Sequence, residues 1–136
     1  MTGLVWLTAG AALVVVVLRR VLLIVRVHGG SMRPTFADRD LLLAHRLPIL
    51  RRGSVVVFRP PGAGLPECSP PYRVKRLAAL PGDPTPAWVH GRPDGAPVPD
   101  GAVVVRGDHH RSEDSRTYGY IRRSDVFAVV VCRLHR

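Results

Sequence analysis

Apolar and polar positions divide the chain into two unlike parts. Residues 3–18 read GLVWLTAGAALVVVVL, without a single charge. As a helix this run is ~24 Å long at 1.5 Å per residue, close to the ~30 Å of a bilayer's hydrocarbon core. Arg19 and Arg20 follow it and can snorkel to an interface, and Val21–Val25 can lengthen the span. No basic residue precedes Leu4, and no small-x-small site follows the run. The pattern therefore predicts an uncleaved N-terminal membrane anchor over 1–20, in preference to a cleaved signal peptide or a buried core helix.

Beyond the anchor the pattern changes to short apolar bursts separated by glycine and proline. The strands it predicts are Val21–His28, Asp40–His45, Ser54–Arg59, Tyr72–Leu80, Ala87–His90, Ala102–Arg106 and Asp125–Cys132. "SVVVF" and "AVVV" are continuous apolar runs, as expected of strands covered on both faces. No sustained helical period occurs after residue 28. Arg59–Pro71 holds too many prolines for a central strand and reads as a long loop. The expected architecture is one mostly β domain over 21–136, a partly closed barrel or coiled sheet, behind an N-terminal transmembrane helix.

Composition adjusts this picture in three places. The chain has 136 residues, room for one modest domain, and is 46% hydrophobic, enough for a core. The formal net charge is +10, which suits an anionic partner. Nucleic acid would call for aromatics interleaved with the arginines, and aromatics are only 6% of the chain. Lys75 is the single lysine among 20 basic residues. A lysine can be neutral when buried, whereas an arginine effectively never is. Cys68 and Cys132 lack metal-like spacing; one disulfide and two free thiols both fit.

Three stretches carry candidate chemistry. In "GGSMRPTF" (29–36), Ser31 sits between Gly29-Gly30 and a segment fixed by Pro34. A nucleophilic serine needs such a turn, with its Oγ displayed and its N–H free to face an oxyanion. Small residues at 29 and 30 leave room for a substrate backbone. An ordinary Gly-Gly turn with a capping serine fits the same residues. In "YRVKRLAALPGD" (72–83), a desolvated Lys75 can act as the base for such a serine; an edge lysine in water is the plainer reading. Arg76 points to the opposite face of an extended strand, so its support is indirect. In "RGDHHRSEDSRTYG" (106–119), Ser112, Asp114 and Arg116 alternate and share one side if the segment is extended. Asp114 and Arg116 could then brace a site, and Ser112 could hold a lysine rotamer. Asp108, His109 and His110 do not complete a zinc ligand set. They permit a Ser-His-Asp arrangement, but no G-x-S-x-G elbow supports it.

Taken in order, the three stretches resemble the type I signal peptidase family. The matching residues are Ser31-Met32-Arg33-Pro34-Thr35; Lys75-Arg76 with Leu80-Pro81-Gly82-Asp83; and Gly107-Asp108 followed by Ser112-Glu113-Asp114-Ser115-Arg116. The resemblance implies a membrane-anchored serine endopeptidase that cuts signal peptides from exported preproteins after a small residue. It implies Ser31 as nucleophile, Lys75 as general base and later general acid, and the Ser31 N–H as an oxyanion donor. It matches Ser112 to a serine that orients the lysine, and Asp114 and Arg116 to a bracing pair. No cofactor is implied. The expected partners are preprotein signal peptides and membrane lipid, not nucleic acid, and the chain is expected to act as a monomer.

The chain departs from the family pattern at Ser54, where an aspartate is usual, and at His109, where asparagine is usual and the following gap is one residue shorter. Gly29 stands where some members carry a second oxyanion donor. Arg19 and Arg20 alone would place the C-terminal part in the cytoplasm. The family's catalytic face lies outside the plasma membrane, and the motif set outweighs two arginines. Three other readings compete: a dedicated maturation protease for one cargo, a self-cleaving repressor-like Ser/Lys domain, and a non-catalytic basic binding module tethered to the membrane.

Overall fold

The chain's backbone folds as helix, then sheet. In a computed structural model, residues 2–46, 49–62 and 70–135 are described, except for the side chains at 2 and 4. Cys68 lies outside the described residues, so its pairing does too. Helix α1 spans Thr2–Val21, one residue past the predicted anchor, and presents Val5, Trp6, Leu7 and Leu13 through Leu18 as exposed apolar side chains. Among the described residues no helix is long and apolar enough to cross a membrane.

Seven strands follow: β1 Leu22–Arg26, β2 Leu41–His45, β3 Val55–Phe58, β4 Arg73–Ala79, β5 Ala102–Arg106, β6 Ile121–Arg122 and β7 Val126–His135. They form one curled antiparallel sheet in the order β1-β2-β7-β3-β4-β5-β6. The C-terminal strand β7 occupies the middle, pairing with β3 through its first half and with β2 through its second. All four residues of β3 are buried, as its unbroken apolar run predicts. One face packs Val25, Met32, Leu42, Val57 and Ala128; the other packs Val56, Phe58, Leu77, Val103 and Ile121. Burying Phe58, Met32, Leu42 and Leu77 stabilises the fold by roughly 1.5–3 kcal/mol per side chain.

Three expectations need correction. Ala87–His90 is a turn, closed by the Val89 N–H on the Pro86 carbonyl, because Pro84, Pro86 and Gly91 deny it a continuous ladder. Strand β7 runs three residues past Cys132, since β2 supplies it with backbone partners. Residues 112–116 are not extended: Asp114 caps a single helical turn, α2, over Ser115–Tyr118. Short polar residues such as aspartate favour that position because their side chains accept the orphan N–H groups of a first turn.

The sheet's curl places the site. In a flat sheet β1 and β4 would lie about 19 Å apart, four spacings of ~4.8 Å. Yet residues at the end of β1 and the start of β4 line one groove.

Candidate active site

The serine turn is held at both of its ends. The Val27 N–H donates to the Asp40 carbonyl at 2.9 Å and the Arg39 N–H donates to the Val27 carbonyl at 2.8 Å, closing residues 27–40 between β1 and β2. The Gly29 N–H donates to Asp38 Oδ1 at 2.8 Å. Gly29 has φ of +79°, a conformation in which any larger L-residue is strained. Met32 is fully buried in the core, so it roots the turn while its neighbour Ser31 faces the groove. The His109 N–H donates to the Ser31 carbonyl at 3.0 Å. Among the described residues, the N–H groups of Gly30 and Ser31 have no hydrogen-bond acceptor.

Lys75 comes from the centre of β4, paired with Val56 on β3, and is 2% exposed. Its Nζ lies 2.5 Å from Ser31 Oγ. Burial disfavours the ammonium and lowers its pKa from 10.5 to about 8. Asp114 acts in the opposite direction, and Arg73 reinforces the lowering. Arg73 lies two residues before Lys75 on the same strand, hence on the same face. The period-2 rule could have singled it out from sequence.

Arg76 faces away from Lys75. It grips Asp108 through two bonds, Nε to Oδ1 at 2.9 Å and Nη2 to Oδ2 at 2.7 Å, and donates to the Gly53 carbonyl at 2.8 Å. The Thr35 hydroxyl also donates to Asp108. One carboxylate thereby ties the serine turn, β4 and the loop after β5 together, and the Arg76 bonds hold it below the usual carboxylate range against the opposing effect of burial. Asp108 is thus occupied, and the His109 ring accepts the Arg111 N–H through Nδ1 rather than meeting Ser31. No Ser-His-Asp arrangement assembles around Ser31 among the described residues. Nor do three or more His, Cys, Asp or Glu side chains there converge as metal ligands.

The loop after β5 is folded around Asp114, which is fully buried. Burial opposes its ionisation. Even so, the Arg116 side chain and the N–H groups of Gly107 and Arg116 hold its pKa below the ordinary carboxylate value. The Arg116 guanidinium makes two bonds to it, at 2.9 and 2.7 Å, and reaches back to the His109 and His110 carbonyls. Ser112 is buried beside this loop. Its Oγ has no hydrogen-bond partner among the described residues and makes no bond to Lys75. Gly107 is required here: a Cβ would strike the Ser112 side chain and come within 2.7 Å of the Ser31 carbonyl. The sequence marked it through the Gly107-Asp108 match and its place at the end of a strand, without showing this packing role.

The site therefore gathers Ser31, Lys75, Gly29, Gly30, Asp114 and Arg116 from the three predicted stretches, with Arg76 on the far side of β4 and Ser112 unbonded. A hydroxyl against a buried, weakly basic amine is an arrangement suited to nucleophilic hydrolysis. The sequence agrees at the family level: the model of the family described as "Signal peptidase, peptidase S26" matches residues 1–87. The chain belongs to this family. That match covers the serine turn and Lys75 and ends before the loop that carries Asp114 and Arg116. No curated protein matches the chain significantly.

Proposed function

We propose that this chain is a serine endopeptidase that removes signal peptides from exported preproteins by a Ser31/Lys75 dyad. The observation that supports it most is the 2.5 Å separation of Ser31 Oγ from the Nζ of a buried Lys75. In this reading neutral Lys75 takes the Ser31 proton as Oγ attacks the scissile carbonyl. The free Ser31 N–H meets the developing oxyanion, and that of Gly30 is free to assist. The lysinium then returns its proton to the leaving amine. As that proton arrives the scissile C–N bond breaks, leaving the acyl group on Oγ. Neutral Lys75 then takes a proton from water as it attacks the ester and returns it to Oγ, which frees Ser31. Gly29 and Gly30 line the groove and leave room for a substrate backbone beside Ser31; the cut after a small residue is what the resemblance to signal peptidases implies.

The same proposal takes α1 as an uncleaved single-pass anchor at the plasma membrane, with the β domain over 21–136 on the extracytoplasmic side. What supports it is that the exposed valines and leucines of α1 have no protein to cover them among the described residues; the length and apolarity of the described helix do not by themselves meet a span. One preparation tests both parts. Membranes from cells expressing the full chain are washed at alkaline pH, solubilised in detergent and incubated with a preprotein bearing a small-x-small site. The chain should stay with the membranes and release the mature protein by one cut after the small residue. Release of the intact chain by the wash contradicts the anchor, and an uncut preprotein contradicts the peptidase.

A further inference from the structure

We infer that the groove beside Ser31 selects substrates carrying an acidic side chain close to the cleavage site, an inference that rests on the endopeptidase reading above. Four arginines reach this groove, of about 680 Å3, from four separate segments: Arg26 at the end of β1, Arg33 in the serine turn, Arg73 at the start of β4 and Arg111 in the loop after β5. The described lining offers one carboxylate against them, Glu113, which already accepts the Tyr118 hydroxyl at 3.2 Å. None of the four forms an ion pair among the described residues.

The neighbouring arginines outside the groove behave differently. Arg76 and Arg116 are each closed by an aspartate in a two-bond grip. Where this fold uses arginine as a brace, it supplies the acid; in the groove it does not. Arg73 is held by the carbonyls of Pro70 and Tyr72, which orient its guanidinium without neutralising it. The Arg33 side chain lies along Gly30, the residue before the nucleophile, with Cδ 3.5 Å from where a Cβ there would stand. A carboxylate entering the groove would meet guanidinium groups, that of Arg73 already oriented, and arginine pairs with carboxylates through two parallel bonds. Because these arginines line the same groove as Ser31, such a carboxylate belongs close to the scissile bond.

The same charges would attract an anionic lipid headgroup. The arrangement favours the peptide, because the arginines share their walls with Ser31 and Lys75, so whatever they hold lies at the reacting atoms.

The test uses full-length Ser31→Ala protein in an uncharged detergent, which binds without cutting. Labelled peptides share a small-x-small site and differ only in whether Glu, Gln or Lys flanks it; binding is read by fluorescence anisotropy. The Glu peptide should bind about tenfold tighter than the Gln peptide near 50 mM salt, and the gap should shrink near 0.5 M as screening grows. Adding Arg33→Gln and Arg111→Gln to the same chain should remove most of the gap. Equal binding of the three peptides overturns the inference, as does a gap that survives loss of both arginines. Arginine-dependent binding to anionic vesicles without peptide discrimination assigns the patch to lipid and overturns it too. Because binding is read without cleavage, failure here is distinct from failure of the endopeptidase reading.

Discussion

Ser31→Ala and Lys75→Arg should each lower the rate of preprotein cleavage by about 10⁴-fold or more, and the double variant should be no slower than either single one. Residues that act as one unit show this non-additivity, since removing either member disables the other. The arginine variant is the more telling. It keeps a positive charge and a long stem, but a guanidinium stays protonated at any working pH and cannot accept the Ser31 proton. In β4 it would also bring a permanent charge to a position that is 2% exposed. Thermal unfolding of the purified variant therefore accompanies the assay, and loss of cleavage counts only where the fold persists. Substantial activity in Lys75→Arg would remove the dyad from the account.

Arg116→Ala should destabilise the protein by about 3 kcal/mol, the low end for stripping one partner from a buried ion pair. Asp114 is fully buried, and its carboxylate would keep only the Gly107 and Arg116 N–H groups. The acid limit of stability should move as well. In the intact protein the Asp114 pKa lies below its unfolded value. Its stabilising contribution is thus complete above about pH 4 and fades only as pH falls through the lower folded value. Without Arg116, burial dominates, the folded pKa rises, and acid unfolding begins at higher pH. Arg116→Lys should rescue little, because one ammonium cannot make the two-bond grip and also reach the His109 and His110 carbonyls. Thermal unfolding across the acid range checks both statements; unchanged stability would mean the pair does not brace the loop.

The strands were legible wherever apolar residues ran together. Ala102–Arg106 appears with the boundaries its pattern predicts, and Val55–Phe58 is buried on both faces. Ser31 and Lys75 were legible because each is singular, one in a double-glycine turn and one as the chain's lone lysine. What the pattern hid depends on tertiary context. Valine at 89 suggested a strand, but the prolines around it withhold ladder donors. The alternation of Ser112, Asp114 and Arg116 suggested an extended strip, but a buried carboxylate turned the chain into a helical cap. Two residues, Ile121 and Arg122, are too few to show a period, and become β6 only because β5 is there to pair with. Arg73 was within reach of the pattern, two residues from Lys75 on the same face of its strand; Gly107 stood in the Gly107-Asp108 match, but its packing role depends on the Ser31 carbonyl, distant in sequence.

A neutral Lys75 acting as base toward Ser31 should leave its signature in the pH dependence of kcat/KM for preprotein cleavage. Only the deprotonated amine can take the hydroxyl proton, so the rate should climb with pH, with an apparent pKa of about 8, and level off above it. A profile that stays flat through that range, or one that falls as pH rises through it, would contradict a neutral lysine base.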